Sequence, residues 1–209
     1  MTFWDHATLG EETPMYTTLL NDEYWYPTSE RLPVPESEYH LDETIYLLQA
    51  LRAHFKSAPE FYVNGDLFLF HTDGGAVAQS EPDLFVAVGA PEEARSLYQL
   101  YRCGKPPCMV IEVTSRETYE DDLSTKKEIY EQIGIQEFFV HDVLGDCLEP
   151  KLQGFQLNDG IYAQMEPGTG GRLVSKTTGL ILKPEHNFLR LVDATTGKSL
   201  LRFDELVRS

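Results

Sequence analysis

The sequence has little cysteine, few basic residues and no long hydrophobic run. Three cysteines occur among 209 residues, and their spacing matches neither a zinc site nor a redox pair, which is typical of reduced, buried thiols in a cytoplasmic protein. No apolar run approaches the roughly 20 residues of a membrane helix, and the N-terminus does not resemble a signal peptide. A hydrophobic fraction of 42% is enough for a core. We therefore expect a folded cytoplasmic protein without a membrane span.

Positive charge is scarce, because 17 Lys and Arg residues face 34 Asp and Glu residues and give a net charge of -17. The imbalance lies in residues 1–145, since residues 146–209 carry eight acidic and eight basic residues. Long-range repulsion of phosphate excludes a generic polyanion binder. Any nucleic-acid role then requires local basic patches or a bound divalent metal. The simpler interpretation is a solvated acidic surface that keeps the protein soluble.

The chain pattern predicts an irregular arm followed by one mixed α/β domain. Residues 1–36 place Tyr16, Tyr24, Trp25 and Tyr26 among acids and prolines, and we interpret them as an arm over the core or over a second subunit. Residues 37–209 form the predicted domain, and its last part, from about 146, is a β appendage of small hairpins.

Within this domain, residues 37–56 predict a helix, because apolar residues recur at intervals of three and four. The predicted buried face of this helix consists of Leu41, Ile45, Leu48, Leu51 and Phe55. The dipeptide Asn64-Gly65 is typical of a hairpin turn between two β-rich segments. Gly134 ends a second predicted helix, and Asp159-Gly160 and Thr196-Gly197 mark later reversals. The predicted strands cover 60–70 on both sides of the turn, 83–89, 107–114 and 135–143, and the second helix covers 119–133.

Two acidic residues stand at unusual positions in the predicted strands. Asp83 follows Pro82 at the start of an apolar strand, and a proline marks such a start because it cannot donate to a ladder. Glu112 lies inside Met109-Val110-Ile111-Glu112-Val113. A buried carboxylate is costly unless it is paired or binds a metal. Strand alternation puts Glu112 on the same face as Val110 and Thr114.

The second helix supplies a lysine to the same region. At about 100° per residue, Lys126 points into the middle of the apolar stripe, and Lys127 lies about 95° away at its boundary. The stripe consists of Leu123, Ile129, Tyr130 and Ile133. A structural ion pair of Lys126 with Glu112 or with Asp122 is an equal alternative to a catalytic role.

Taken together, two carboxylates and one lysine fit metal-assisted phosphodiester hydrolysis. Carboxylates on neighbouring strands can hold one Mg²⁺, which retains waters and accepts substrate phosphate. A nearby lysine can orient or deprotonate the attacking water and offset charge in the transition state.

These residues belong to a set of separated motifs, and over residues 37–205 the chain resembles the Uma2 family of endonucleases, within the PD-(D/E)XK nuclease-like superfamily. The resemblance implies an α+β, restriction-endonuclease-like core with a mixed central sheet, flanking helices and C-terminal β-hairpins. It also implies that Asp83 and Glu112 are metal ligands and that Lys126 is the catalytic lysine. The motifs are Pro82-Asp83, Ile111-Glu112-Val113-Thr114-Ser115, Asp122 to Lys126 with Tyr130, Gly134, Glu137-Phe138-Phe139 and Asp142.

One position departs from the superfamily pattern, which places lysine two residues after the glutamate, where this chain has Thr114. The family resemblance implies that the lysine has moved to the helix. Thr114 then becomes a supporting residue that hydrogen-bonds a water or Lys126, and Asp122 steadies Lys126 from the helix N-terminus. Glu43 and His40 could add a carboxylate and an imidazole, although a solvated face and a packed histidine are the preferred interpretations.

Two functions follow from different observations. The first is a Mg²⁺- or Mn²⁺-dependent DNA endonuclease, acting as a homodimer, in which Arg95, Arg102 and Lys105 contact backbone phosphates. The second is a catalytically silent nuclease fold that acts as a binding or interaction module. The net charge of -17 favours the second function, and the set of Asp83, Glu112 and Lys126 favours the first.

Overall fold

A computed structural model describes residues 37–73, 76–90, 98–100, 105–202 and 205. The predicted arm and the basic residues Arg95 and Arg102 lie outside the described residues. Residues 36–209 group into one compact unit. None of the described helices is long and apolar enough to cross a membrane.

Helix α1 (Glu38–His54) confirms the first predicted helix and continues into a 3₁₀ turn, Phe55–Ser57. Ser37 caps it, because its hydroxyl accepts from the His40 N–H at 3.2 Å. Its buried face differs from the predicted one. Leu41 and Ile45 are exposed, whereas Glu43 is buried, so a solvated face for Glu43 was the wrong interpretation. The buried residues of α1 are Glu43, Tyr46, Leu47, Ala50 and Leu51.

The central sheet has six strands in the order β1-β4-β6-β7-β8-β9. Only the β6–β7 pair is parallel, and the other neighbours are antiparallel. The mixed sheet with flanking helices confirms the predicted fold class. The strands are β1 (Phe61–Asn64), β4 (Leu84–Val88), β6 (Met109–Thr114), β7 (Glu137–Asp142), β8 (Leu152–Asn158) and β9 (Ile161–Gln164).

The predicted hairpin at Asn64-Gly65 is wrong, because β1 pairs with β4 rather than with the strand that follows it. That next strand, β2 (Leu69–Asp73), pairs with β3 (Ala76–Ser80) and with the short β5 (Tyr98–Gln99) in a separate sheet. Gly65 is therefore required by a close contact with the backbone of Asp83, which is distant in sequence, and not by a tight turn.

The connection between β6 and β7 is helical, as predicted, but it is not one regular α-helix. It consists of α2 (Tyr119–Asp121), a π-helical segment (Asp122–Lys126) and α3 (Lys127–Ile133). Gly134 ends α3 with φ of 84°, which is a conformation that glycine adopts without steric cost. Tyr130 is fully buried, and the predicted apolar stripe packs beside Phe138 and Val140 of β7.

The C-terminal third adds strands to one face of the central sheet. β10 (Leu173–Val174), β11 (Leu180–Glu185) and β12 (Phe188–Asp193) form a third sheet. Leu182 and Leu189 of this sheet share a core with α1 and with Ile111 of β6. The predicted reversal at Asp159-Gly160 joins β8 to β9, and Gly197 has a φ of 69°. The central sheet is thus covered on one face by α1 and the third sheet and on the other by α3.

Candidate active site

Glu112 is at the floor of the site. It lies inside β6, whose residues are all buried, and its own exposure is 0%. Tyr130 donates to Oε1 at 2.6 Å, and Lys126 Nζ donates to Oε2 at 3.0 Å. The backbone N–H of Asp83 lies 3.4 Å from the same Oε2. Glu112 therefore faces the helical connection, and both of its carboxylate oxygens accept hydrogen bonds.

Asp83 stands opposite Glu112 because β4 and β6 are antiparallel, with Leu84 paired to Ile111. Its Oδ2 accepts from the Val113 N–H at 2.7 Å and lies 3.3 Å from His40 Nε2. Burial raises the pKa of Asp83, but the hydrogen bond and charge of His40 and the charge of Lys126 outweigh burial and leave this pKa lowered. Asp83 is thus held as a carboxylate.

Gly65 is required directly behind Asp83. A Cβ atom at Gly65 would lie 2.0 Å from the carbonyl oxygen of Asp83, a distance that no side chain tolerates. The next residue, Asp66, also holds this loop close to the start of β4, because its N–H donates to the Pro82 carbonyl at 3.2 Å. The loop after β1 therefore sets the backbone position of Asp83.

The π-helical segment brings Asp122 and Lys126 to the site together. A π-helix has more residues per turn than an α-helix and is frequent at functional sites. Lys126 Nζ lies 2.9 Å from Asp122 Oδ1, and Asp122 Oδ2 accepts from the Thr114 hydroxyl at 2.7 Å. Thr114 thus supports Asp122 rather than Lys126. Lys127 is half-buried, with Nζ 4.4 Å from the centre of the Phe155 ring, which is the boundary position predicted for it.

The site has an excess of negative charge. Burial lowers the pKa of Lys126, but the charges of Glu112, Asp122 and Asp83 outweigh burial and raise it. The lysine is therefore an ammonium that donates hydrogen bonds to these carboxylates. Burial and the charge of Asp83 raise the pKa of Glu112. One ammonium therefore stands among three carboxyl groups, and an additional cation would stabilise their ionised forms.

The carboxyl groups fit a divalent cation with two protein ligands. Mg²⁺ is bound through one or two carboxylates and keeps waters and substrate phosphate as its other ligands. Asp83 and Glu112 provide such a pair, with Asp83 at 18% side-chain exposure as the solvent-facing member. Over the described ranges, no group of three or more His, Cys, Asp or Glu side chains is arranged to hold a metal.

Other candidate residues have different surroundings. Glu43 accepts from the Leu189 N–H at 2.6 Å and lies 3.4 Å from Arg202 and 3.7 Å from His141, so its contacts are with β12, the C-terminal segment and β7. Lys105 is exposed. His40 contacts Asp83, whereas the sequence favoured a packed histidine. The position of His40 on its helix does not indicate which strand end it will contact, so this partner could not be predicted.

Most of the chain matches one protein family. Residues 22–183 match the model of the Uma2 family, whose description is "Putative restriction endonuclease". The chain belongs to the Uma2 family. No curated protein matches the sequence.

A solved structure shares the fold. It is the crystal structure of a protein from Anabaena variabilis described as a putative nuclease, with a TM-score of 0.51 and 14% sequence identity. The likeness covers 70% of this chain and 76% of that one. At this identity it shows a common fold and nothing finer.

Proposed function

We propose that this Uma2 protein is a Mg²⁺- or Mn²⁺-dependent DNA endonuclease that hydrolyses phosphodiester bonds. The observation that carries the proposal is the meeting of Asp83, Glu112 and Lys126, in which the fully buried Glu112 accepts from Lys126 and lies opposite Asp83 of the neighbouring strand. Three carboxyl groups, Asp83, Glu112 and Asp122, meet one lysine and one histidine here, which is more acid than a simple structural ion pair needs. Membership of a nuclease family supports the same reaction class.

The residues have distinct roles in this proposal. Asp83 and Glu112 would hold the metal, which would polarise the phosphate and activate a water. Lys126 donates to the phosphate or the attacking water and offsets the charge that develops in the transition state. Asp122 and Tyr130 are positioning residues, because Asp122 fixes the ammonium and Tyr130 fixes Oε1 of Glu112.

An acidic chain needs a local surface for DNA. We assign phosphate contacts to the segment 91–107 with Arg95, Arg102 and Lys105, of which the structure describes the exposed Lys105. We also propose a homodimer, because cleavage of both strands of a duplex suits two active sites related by a two-fold axis. Light scattering that gives the monomer mass at micromolar concentration would exclude the dimer.

A metal-supplemented cleavage assay tests the function. Purified full chain is incubated with single-stranded, double-stranded and branched DNA in Mg²⁺, Mn²⁺ or EDTA, and Asp83→Asn serves as the control. We expect metal-dependent cleavage of at least one substrate by the natural chain and none by Asp83→Asn. Cleavage that survives in both EDTA and Asp83→Asn would overturn the assignment.

A second function is favoured by one observation, the net charge of -17. A nuclease fold without catalysis could act as an interaction module for a basic partner. The same assay separates the two, because an interaction module cuts none of the three substrates in either metal while it remains folded.

A further inference from the structure

A pocket of about 230 Å³ opens beside the carboxylate site, at the ends of the parallel strands β6 and β7. His40 lines it and lies 3.3 Å from Asp83. Thr114 also lines it and donates to Asp122, the partner of Lys126. Asp83, Glu112 and Lys126 do not line the pocket. His40 stands between the pocket and Asp83, and Thr114 stands between the pocket and Asp122.

The walls of this pocket are suited to a flat ring. Tyr39 at 52% exposure and Leu144 at 43% exposure lie at its lining, together with the buried Val143. Aromatic side chains stack on nucleobases of any sequence, because every base has a π-face. The volume is below the roughly 300–1,000 Å³ of pockets for drug-sized ligands, so it suits a single ring system.

The charges of the pocket exclude a phosphate as its occupant. Arg116 Nε is 3.4 Å from Asp146 Oδ2. His40 Nε2 is 3.3 Å from Asp83 Oδ2, so both basic side chains of the lining already have a carboxylate partner. Glu117 also lines the pocket, and it is the lining carboxylate that remains to accept from a ligand, because the oxygens of Asp142 already accept from backbone N–H groups. Carboxylates accept hydrogen bonds from the N–H groups of bases. The pocket therefore favours a neutral heterocycle with N–H donors over a further phosphate.

One wall of the pocket is fixed without any ligand. Asp142 accepts from the N–H groups of Gly145 at 2.8 Å, Cys147 at 2.8 Å and Leu148 at 2.9 Å. Burial raises the pKa of Asp142, but these donors outweigh burial and lower it, so the carboxylate stays ionised and holds the loop that carries Leu144. A preformed wall reduces the ordering cost of binding.

We propose that this pocket binds one unpaired nucleobase of the strand whose phosphate lies at Asp83 and Glu112. The substrate class is then single-stranded or locally unpaired DNA rather than continuous duplex, since a base in a duplex has to leave the stack before it can enter a pocket. The inference rests on the proposed nucleic-acid substrate, and it names the part of that substrate which this surface recognises.

Fluorescence anisotropy with the full chain in EDTA tests the inference apart from catalysis. The probes are a fluorescein-labelled single strand, an abasic strand with the same number of phosphates, and a blunt duplex. Tyr39→Ala and Leu144→Ser remove the pocket walls, and Tyr39→Phe keeps the aromatic face. Leu41→Ser is the matched control, because Leu41 is 50% exposed on the same helix as Tyr39 and does not line the pocket.

We expect the natural chain to bind the base-bearing strand about 5-fold or more tightly than the abasic strand, as stacking of one base predicts. Tyr39→Ala and Leu144→Ser should reduce this preference, and Tyr39→Phe and Leu41→Ser should retain it. Equal affinity for base-bearing and abasic strands, an unchanged preference in Tyr39→Ala, or tighter binding of the duplex would overturn the inference.

The outcome is independent of cleavage. If the Tyr39-dependent preference is found in a protein that cuts no DNA in Mg²⁺ or Mn²⁺, the pocket stands and the endonuclease proposal fails. If the protein cuts DNA and binds abasic strands equally well, the endonuclease stands and the pocket proposal fails.

Discussion

The two fully buried glutamates of the central sheet, Glu112 on β6 and Glu137 on β7, have opposite surroundings. Glu137 accepts from the Ser175 hydroxyl, from the Lys176 N–H at 2.7 Å and from the Thr177 hydroxyl at 2.6 Å. These donors are neutral and come from one turn that ties β10 to the sheet. Glu112 instead shares a lysine with other carboxyl groups.

Under the proposed function, this difference distinguishes a structural carboxylate, Glu137, from a metal ligand, Glu112. A buried charge surrounded by neutral donors contributes to stability, since each hydrogen bond to a charged group contributes about 1.5–3 kcal/mol. A buried charge next to like charges costs stability, and such sites are where perturbed groups serve chemistry. Burial alone does not distinguish the two glutamates; their neighbours do.

The largest expected effect is the loss of DNA cleavage on substitution of Lys126. This lysine contacts Glu112, whereas the hydrogen bonds to Glu137 come from hydroxyl and backbone N–H groups. Lys126→Ala should reduce DNA cleavage by about 10²-fold or more, because it removes the donor to the transition state. Its fold should persist with reduced stability, because Glu112 and Asp122 lose their ammonium partner. Lys127→Ala is the neighbouring control and should cleave at close to the natural rate. An exchange of these behaviours between the two variants, measured as cleavage rates, would contradict the assigned helix phase.

Substitution of each glutamate by glutamine should separate their roles in stability. Glu137→Gln should lower the free energy of unfolding by about 2 kcal/mol. The reason is that the amide NH₂ group of glutamine is itself a donor and cannot accept from Ser175, Lys176 and Thr177 as the carboxylate oxygen does. Glu112→Gln should lower it by less than about 1 kcal/mol, because losing the charge relieves repulsion from Asp83 and Asp122. Urea denaturation measures both variants, and a larger loss in Glu112→Gln would make Glu112 the structural residue of the pair.

Substitution of Gly65 should have a smaller effect on stability. It acts on the Glu112 site because Gly65 contacts the backbone of Asp83. Gly65→Ala should destabilise the protein by about 1–2 kcal/mol, because the new Cβ overlaps the Asp83 carbonyl oxygen and the backbone has to shift. It should also weaken Mn²⁺ binding. Gly168→Ala is the control, because its Cβ meets only Arg172, with side-chain atoms at 3.4 Å and the carbonyl oxygen at 3.6 Å. Chemical denaturation that finds the two variants equal would show that Asp83 does not depend on Gly65.

The smallest effect concerns the buried pair Glu43 and His141, which belongs to neither glutamate site. Burial raises the pKa of Glu43 from 4.5 to about 7 and lowers the pKa of His141 from 6.5 to about 4. Between about pH 4.5 and 7 folded Glu43 holds a proton that the unfolded chain has lost, so its contribution to stability falls as pH rises. Between about pH 4 and 6.5 unfolded His141 holds a proton that the folded chain lacks, so its contribution rises with pH.

These two slopes oppose each other in the natural chain, and single variants should reveal them. Relative to the natural chain, Glu43→Gln should gain stability with rising pH from about 4.5 to 7, and His141→Asn should lose it from about 4 to 6.5. We expect a slope change of about 0.5–1 kcal/mol per pH unit, below the limit of about 1.4. Urea denaturation across this range measures it, and parallel pH profiles in all three proteins would contradict the assignment.

Much of the Glu112 site could be predicted from local patterns. Strand alternation put Glu112 and Thr114 on one face, and the helical period directed Lys126 inward, because both rules act over a few residues. The π-helical segment was not predictable from the period, yet it did not change the outcome, since Asp122 and Lys126 still meet.

The predictions were wrong where the structure depends on contacts between residues that are distant in sequence. Asn64-Gly65 has the local signature of a hairpin, but β1 pairs with β4 and Gly65 serves the close approach to Asp83. Glu43 is buried because it contacts Leu189 and Arg202, which follow it by 146 and 159 residues. No local pattern indicates such partners, and His40 beside Asp83 was hidden for the same reason.

The most direct test of the central claim is Mn²⁺ binding by calorimetry to the natural chain, Glu112→Gln and Glu137→Gln. If Glu112 is a metal ligand and Glu137 a structural carboxylate, Glu112→Gln should weaken Mn²⁺ affinity by at least about 10-fold, and folded Glu137→Gln should bind like the natural chain. Equal Mn²⁺ affinity in the natural chain and Glu112→Gln would contradict the claim.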